Sequence, residues 1–292
     1  MTAVCDDAVK LIGKSNVFIT LDLDAGYWQV KLHEGLKDKT AFFIPNGKMH
    51  WLVMPMGILN AHAFFVSMTM DMKREWDAKF KEDPAAAINF LKEIVKDVTP
   101  IPNKMSPQGV NWVQQLAELL TEGNIRKAIK DSAPGSAVIV DDLMLHDSNE
   151  LSLMAYFVSI LKVLVHYQVT INLRKGRFLP KRAEFVGVDV LPNGNSPAES
   201  KYSGIDKLGN PKNFSDIRAI IGIFGFYQQW IPHYEDEIAI FRDILLTKGE
   251  KLSEEEEEAK VEREWDEKCD EVLTNLKKYI KEGPVLKRPD PN

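Results

Sequence analysis

The chain has 292 residues, 45% of them hydrophobic and 27% charged, which predicts a globular protein and excludes an intrinsically disordered one. The longest apolar run, residues 151–165, contains Lys162 and is too short to cross a bilayer, and no basic-then-apolar leader begins the sequence, so we expect an intracellular protein without a membrane partner. The net charge of −6 argues mildly against a nucleic-acid binder, but residues 235–292, with 18 acidic and 11 basic side chains, account for that excess and leave the preceding chain nearly neutral.

An apolar run that carries two aspartates, residues 17–24, is the first predicted element. Side chains alternate along a strand, so Asp22 and Asp24 share one face and the leucines beside them take the other. Carboxylates on an otherwise buried strand indicate either a functional site or a capping and turn role ahead of Gly26.

Residues 30–60 predict a hairpin followed by a loop. The chain alternates loosely up to a strong hairpin signal at Asn46-Gly47. A loop at 54–57 then leads into a helix from about Asn60, whose apolar side chains recur at helical spacing and favour core packing. They are Phe65, Met68, Met72, Trp76 and Phe80.

Residues 83–135 contain two amphipathic stretches separated by prolines. Residues 85–98 and 111–121 each predict a helix. The segment is either a helical hairpin inserted into the fold or an artefact of the gene model, and the sequence does not choose between them.

A pair of aspartates interrupts the next apolar run, residues 137–146. The pattern predicts a β-hairpin with Asp141 and Asp142 at its tip, of which only one, Asp141, is expected to aim at a shared site. A solvated turn is the alternative. If this hairpin lies beside the Asp22 strand, several carboxylates converge, and hard oxygen ligands of this kind suit Mg²⁺.

The rest of the chain predicts helices with short strands between the first two. Between residues 169 and 218, nine basic side chains outnumber five acidic ones, which indicates either a surface that contacts a phosphate backbone or a solvated face. Helices and antiparallel strands together predict an α+β fold. The expected helices are at about 150–167, after a cap at Ser215 and at 261–282, and the expected strands are at 169–173 and 184–191.

Five segments resemble, in order, the motifs of the reverse transcriptases of gypsy-type long-terminal-repeat retrotransposons. They are residues 21–29, 39–42, 54–61, 140–142 and 184–187. The resemblance implies a polymerase palm, an antiparallel sheet backed by helices, with partial fingers and a helical thumb and connection. It implies the palm and partial fingers at 1–200, with 83–135 as an insertion, a thumb-like segment at 201–250 and a connection-like helical segment at 251–292.

The resemblance also implies an activity, the RNA-directed synthesis of DNA. Nucleotidyl groups would pass from deoxynucleotides to the 3′ hydroxyl of a primer on an RNA or DNA template. Asp22 and Asp141 would hold two Mg²⁺ ions, for which Mn²⁺ can substitute, and Asp142 would support them. Lys175 falls where the family places a lysine near the departing pyrophosphate, so it is either a general acid or a plain surface lysine.

Nucleotide and primer contacts follow from the same resemblance. Tyr27 matches the residue whose ring excludes a ribose 2′ hydroxyl. Met56 and Gly57 match the loop beneath the incoming nucleotide, and Phe185 and Gly187 match the segment that grips the primer end. The sequence departs from the family pattern at Met56, His62 and Ile139.

A hypothesis of a different class is a catalytically silent remnant that binds nucleic acid or protein. The intact aspartates favour the enzyme, whereas the departures and the insertion favour the remnant. The family's further fingers and ribonuclease H lie outside the segment matched here, so a partner chain could supply them, and we expect this chain alone to extend primers poorly.

Overall fold

A computed structural model describes residues 12–98, 117–130, 133–172, 174–247, 249 and 252–287. These residues form two compact units, one ending at Val186 and one beginning at Gly187, each with its own hydrophobic core. No helix within the described ranges is both long enough and apolar enough to cross a membrane.

The first unit contains a four-stranded antiparallel sheet. Its strand order is β4-β5-β1-β6, and β2 pairs with β3 in a separate hairpin. The strands of this unit are β1 (Val17–Asp22), β2 (Phe42–Ile44), β3 (Gly47–Met49), β4 (Gly135–Ile139), β5 (Asp142–Asp147), β6 (Arg177–Phe178) and β7 (Ala183–Phe185).

Five helices accompany this sheet, and the last of them is central. Helix α5 contacts β1, β5 and the three longer helices before it, and this explains why apolar side chains surround it on nearly every side. The predicted stripe on α2 is confirmed, since four of its five side chains are buried and Met68 packs against them. The helices are α1 (Glu34–Lys37), α2 (Ala61–Glu82), α3 (Pro84–Val98), α4 (Glu122–Lys130) and α5 (Glu150–His166).

The second unit is mainly helical. Its helix α8 contacts α7, α9 and α10, and their apolar faces enclose Phe224, Phe241 and Leu276. Together the two units confirm the α+β prediction. The elements are β8 (Val188–Leu191), β9 (Gly194–Pro197), α6 (Tyr202–Asp206), α7 (Phe214–Phe226), α8 (Tyr234–Ile244), α9 (Glu254–Glu264) and α10 (Glu267–Glu282).

Two predicted strands are wrong as continuous elements. The expected strand at 184–191 is broken by a turn, because Val186 and Gly187 both take positive φ. The expected strand at 169–173 contributes a single bridge, between Ile171 and Leu23.

Helix boundaries also differ from the predictions. The cap of α7 is Asn213 rather than Ser215, since the Asn213 side chain accepts the backbone N–H of Asp216. The expected helix at 261–282 is divided, because Asp266 caps α10 by accepting the N–H of Cys269. The expected helix at 111–121 lies largely outside the described residues.

The predicted fingers hairpin is shorter than expected. The stretch that alternates loosely from residue 30 forms α1 before β2 begins. Register pairs Ile44 with Gly47, so the two-residue turn is Pro45-Asn46, one residue earlier than predicted.

Candidate active site

The aspartates meet where β1 and β5 run side by side. Antiparallel register places Asp22 directly opposite Asp142, so their side chains share one face of the sheet. The turn of the β4–β5 hairpin is Val140-Asp141, and the carbonyl of Asp141 accepts the backbone N–H of Leu23 at 3.0 Å. The prediction that both aspartates form the turn is therefore wrong for Asp142, which is the first residue of β5.

Val140 carries the strain of this turn. Its φ is +57°, a conformation that β-branched residues rarely adopt. The cost is tolerated because pairing on both sides fixes a two-residue loop, and Val140 packs against the core of the unit. The result is a rigid tip that holds Asp141 beside the end of β1.

Burial and the neighbouring aspartates, Asp22 and Asp141, change the pKa of Asp142. Partial removal of its carboxyl from water raises the pKa of Asp142, although the residue keeps an exposed surface, and the charges of Asp141 and Asp22 raise this pKa further. Lys175 lowers it in part. Like charges this close favour a bound cation.

Lys175 supplies one cation already. Its Nζ lies 2.9 Å from Oδ2 of Asp22, and this hydrogen bond is the largest cause of the raised pKa of Lys175, followed by the charge of Asp22 and then that of Asp141. The loop that carries Lys175 is fixed to the same strand, because the backbone N–H of Asn172 donates to the carbonyl of Asp22 at 2.8 Å. The lysine side chain is 64% exposed, so the ion pair is open to solvent and to exchange.

The carboxylate oxygens of the three aspartates are the candidate donor atoms for a metal ion. Carboxylate oxygens from Asp22, Asp141 and Asp142 are the ligand chemistry that Mg²⁺ prefers. Burial raises the pKa of Asp142 most, and the charges of Asp141 and Asp22 raise it further. Among the residues that the structure describes, however, no three Asp, Glu, His or Cys side chains are arranged closely enough to hold an ion. The aspartates fit a divalent cation by chemistry, and the side chains have to turn towards it.

Tyr27 lies in a 3-10 helix, Gly26–Gln29, that follows the aspartate strand. Its ring stacks on Phe65 of α2 at 4.9 Å between centroids, and its hydroxyl is 3.1 Å from Nδ1 of His62. Gly26 leaves room for this packing, because a Cβ at this position would lie 2.6 Å from Cζ of Phe65 and would force that ring to shift. The ring of Tyr27 is therefore held on one face by Phe65 and at its hydroxyl by His62.

Gln29 is a positioning residue that sequence reasoning missed. Its side chain donates to the carbonyls of Asp24 and Thr170 and accepts the Thr170 N–H at 2.6 Å, which joins the end of the aspartate strand to the segment before Lys175. His62 and Phe65 were also missed as supports of Tyr27. Their spacing of three residues on one helix face was the available signal.

The remaining predicted site residues are those expected to contact the nucleotide and the primer, Met56, Gly57, Phe185 and Gly187. Met56 is 71% exposed and Gly57 takes φ +91°, in a loop open to solvent. The Phe185 side chain is buried at 3% exposure, so only its backbone could contact a primer. Gly187 belongs to the second unit, where its carbonyl accepts the hydroxyl of Tyr227 at 3.1 Å.

Comparison with known families defines the class of protein. Residues 2–190 match the family described as reverse transcriptase (RNA-dependent DNA polymerase). The match covers more than half of the chain, so the chain belongs to this family of nucleotidyltransferases.

Two relatives show which group of reverse transcriptases the chain resembles. The chain is 25% identical over 285 residues to a retrovirus-related Pol polyprotein from transposon 297 of Drosophila melanogaster, covering 98% of this chain and 21% of the relative. It is 24% identical to the corresponding polyprotein from transposon gypsy of the same organism, over 96% of this chain and 22% of the relative. The resemblance to gypsy-type reverse transcriptases is thus confirmed, and the chain spans about a fifth of the length of these relatives.

Solved structures support the fold. The foamy viral protease-reverse transcriptase in complex with an RNA/DNA hybrid superposes with a TM-score of 0.65 at 15% identity, over 98% of this chain and 30% of that one. A complex of the same viral protein with double-stranded DNA gives a TM-score of 0.63 at 16% identity, over 97% and 39%. At these identities the likeness shows the polymerase fold alone.

Proposed function

We propose that this chain carries the polymerase site of a reverse transcriptase, which transfers nucleotidyl groups from deoxynucleotides to a primer 3′ hydroxyl on an RNA or DNA template. The observation that carries the proposal is the register of β1 and β5, which pairs Asp22 with Asp142 and puts Asp141 in the adjoining turn. Family membership supports it, and so do the solved complexes of a viral reverse transcriptase of related fold with RNA/DNA hybrid and duplex DNA.

The three aspartates would hold two Mg²⁺ or Mn²⁺ ions. Such ions lower the pKa of the attacking hydroxyl and offset the charge that develops on the transferred phosphate. The protein's own contribution is position. The paired strands hold Asp22 and Asp142 on one face, and the strained turn holds Asp141 beside them, so the acceptor and the triphosphate can be brought into line.

Lys175 would act on the leaving group. Its hydrogen bond to Asp22 keeps the ammonium protonated and places it at the aspartates. As a general acid it would give its proton to the pyrophosphate oxygen that leaves phosphorus, and solvent would return the proton afterwards. As a plain surface lysine it would only balance the charge of Asp22.

Tyr27 would select the sugar. A ring that is stacked on Phe65 and bonded to His62 cannot easily move aside. Placed under the sugar of the incoming nucleotide, it would leave no room for a 2′ hydroxyl, and deoxynucleotides would be favoured.

Primer extension tests the proposal. Purified chain is given an RNA template, a DNA primer, deoxynucleotides and either Mg²⁺ or Mn²⁺, and a parallel reaction uses a DNA template. We expect extension on both templates that is weak in Mg²⁺ and is lost in Asp141→Asn. A matched control is Asp243→Asn, an exposed aspartate of the second unit, which should extend as the unmodified chain does.

The alternative function, a silent remnant that binds nucleic acid or protein, is favoured by two observations. Asp22 is already engaged by Lys175, and the described side chains do not close a metal site. The same experiment separates the two. Template binding without any Asp141-dependent extension, in Mn²⁺ and with a fingers segment from a relative supplied, would support the remnant and overturn the polymerase.

A further inference from the structure

The β2–β3 hairpin presents aromatic side chains to solvent on both of its faces. Phe43 is 86% exposed and is paired across the strands with Lys48. On the other face Phe42 is paired with Met49, and its ring lies 6.3 Å from that of Trp51. Apolar rings in water are costly, and none of the described elements covers Phe43.

The charges around these rings are cationic. The 32 residues from Lys39 to Met70 contain no aspartate or glutamate, although the chain has 43 acidic residues in 292. Lys39, Lys48 and His50 are exposed within this stretch, and no ion pair to another described residue engages Lys39 or Lys48. Glu34 and Asp38 lie just before this stretch, and Lys37 pairs with Glu34, so a polyanion would meet more cationic than anionic side chains at the hairpin.

The hairpin is anchored at its base. The N–H of Trp51 donates to Oγ1 of Thr40 at 3.1 Å, and the N–H of Leu32 donates to the carbonyl of Leu52 at 3.0 Å. A bridge between Lys31 and Val53 continues this pairing towards the core. The exposed rings therefore sit on a preorganised support, which lowers the entropy lost when a ligand binds.

We propose that this hairpin is a binding platform for single-stranded nucleic acid, with an unpaired base stacked on Phe43 and neighbouring phosphates on Lys48 and Lys39. Exposed rings interleaved with cations match the chemistry of an unpaired strand, which offers π-faces and phosphates in alternation. A protein partner would be better served by one continuous apolar face than by rings divided between two faces. The inference extends the proposed function, because a polymerase holds unpaired template, but binding here needs neither metal nor catalysis.

The test is the anisotropy of a fluorescein-labelled oligo(dT) or oligo(U) strand, measured with the full chain in EDTA and without nucleotides, over a series of salt concentrations. Phe43→Ala should weaken binding by about tenfold, the scale of one stacked base, and Phe43→Trp should restore it. Lys48→Gln should lower the slope of log affinity against log salt by about 0.7, the value for one phosphate contact on a single strand.

The matched control is Phe90→Ala. Phe90 is also partly exposed and also has a lysine over its ring, with Nζ of Lys162 at 5.0 Å from the centroid, but it lies in α3 outside the acid-free stretch. This variant should bind as the unmodified chain does, provided that its thermal unfolding is unchanged.

Three results would overturn the inference. They are no binding of single strands by the unmodified chain, equal binding by Phe43→Ala and Phe90→Ala, and a Phe43-dependent self-association seen by light scattering, which would assign the face to a second copy. Asp141→Asn should bind single strands normally. If the unmodified chain binds single strands at the platform but shows no Asp141-dependent extension, that result would count against the polymerase proposal only.

Discussion

At the scale of residues, the site contains more negative than positive charge, and the pairing of β1 with β5 holds the charged side chains together. Asp22, Asp141 and Asp142 lie together because register requires it, and Lys175 offsets part of their charge. A lysine with a raised pKa stabilises the fold below its ordinary pKa, and that contribution is lost as pH rises through the raised value. A carboxyl with a raised pKa destabilises the fold at a pH where it is ionised, so Asp142 opposes folding at neutral pH. This destabilisation is relieved as pH falls through the raised pKa of Asp142.

The first prediction concerns Asp142. Removing its charge relieves repulsion, so Asp142→Asn should raise the melting temperature at pH 7 in metal-free buffer. It should also reduce the further increase that Mg²⁺ gives to the unmodified chain. Differential scanning fluorimetry measures both, with Asp243→Asn as the control. A lower melting temperature for Asp142→Asn would show that its carboxylate is satisfied without a metal.

Lys175 can be assigned to one of its two roles. If it is the general acid, Lys175→Gln should slow extension by about a hundredfold or more and change the basic limb of the pH–rate profile. Lys181→Gln, an exposed lysine six residues further along the chain, is the control for charge alone. Equal rates for the two variants would make Lys175 a surface lysine that balances Asp22.

Sugar selection should depend on the ring of Tyr27 and less on its hydroxyl. Tyr27→Ala should raise the incorporation of ribonucleotides relative to deoxyribonucleotides in single-turnover assays. Tyr27→Phe keeps the ring stacked on Phe65 and loses only the bond to His62, so it should keep most of the discrimination. If Tyr27→Ala extends primers with unchanged discrimination, another residue selects the sugar.

At the scale of elements, the end of β1 is tied to a segment far away in sequence. The Gln29 side chain makes this connection through its hydrogen bonds to Thr170. A second connection joins the end of β1 to the turn at Val140-Asp141, because the N–H of Leu23 donates to the carbonyl of Asp141. Neither connection belongs to a regular helix or strand. The position of Lys175 relative to the aspartates therefore depends on side-chain bonds as much as on the sheet.

Gln29→Ala should consequently loosen this part of the site. Losing its bonds to the two carbonyls and to the Thr170 N–H should lower the free energy of unfolding by about 1–2 kcal/mol and speed hydrogen exchange at Thr170. Gln229→Ala, an exposed glutamine of the second unit, is the matched control. Unchanged exchange at Thr170 would mean that backbone contacts, the Ile171–Leu23 bridge and the bond from the Asn172 N–H to the Asp22 carbonyl, fix the segment without Gln29.

The sequence predicted what periodicity and turn chemistry encode. The α2 stripe and the aspartate hairpin followed from side-chain spacing, and Asn46 falls within a hairpin turn. Register is not encoded locally, so Asp142 was assigned to the turn although pairing with Asp22 puts it in β5. The breaks at Val186 and Trp265 were missed because tertiary contacts and capping, rather than propensity, decide them.

At the scale of the whole molecule, charge is unequally divided. Residues 235–292 hold 18 acidic and 11 basic side chains, and α9 begins with five consecutive glutamates behind a capping box formed by Ser253 and Glu256. The aspartate cluster and the cationic hairpin both lie in the first unit. This distribution favours nucleic-acid binding by the first unit, with affinity that falls as salt rises.

The central claim is that Asp22, Asp141 and Asp142 act together on a divalent cation. Mn²⁺ binding followed by electron paramagnetic resonance tests it most directly, because the signal of free Mn²⁺ falls as the ion binds and no catalysis is needed. We expect the unmodified chain and Asp243→Asn to bind Mn²⁺ alike, and Asp22→Asn and Asp141→Asn each to weaken binding by at least about tenfold, with Mg²⁺ competing for the same site. Equal Mn²⁺ affinity in all four proteins would contradict the claim.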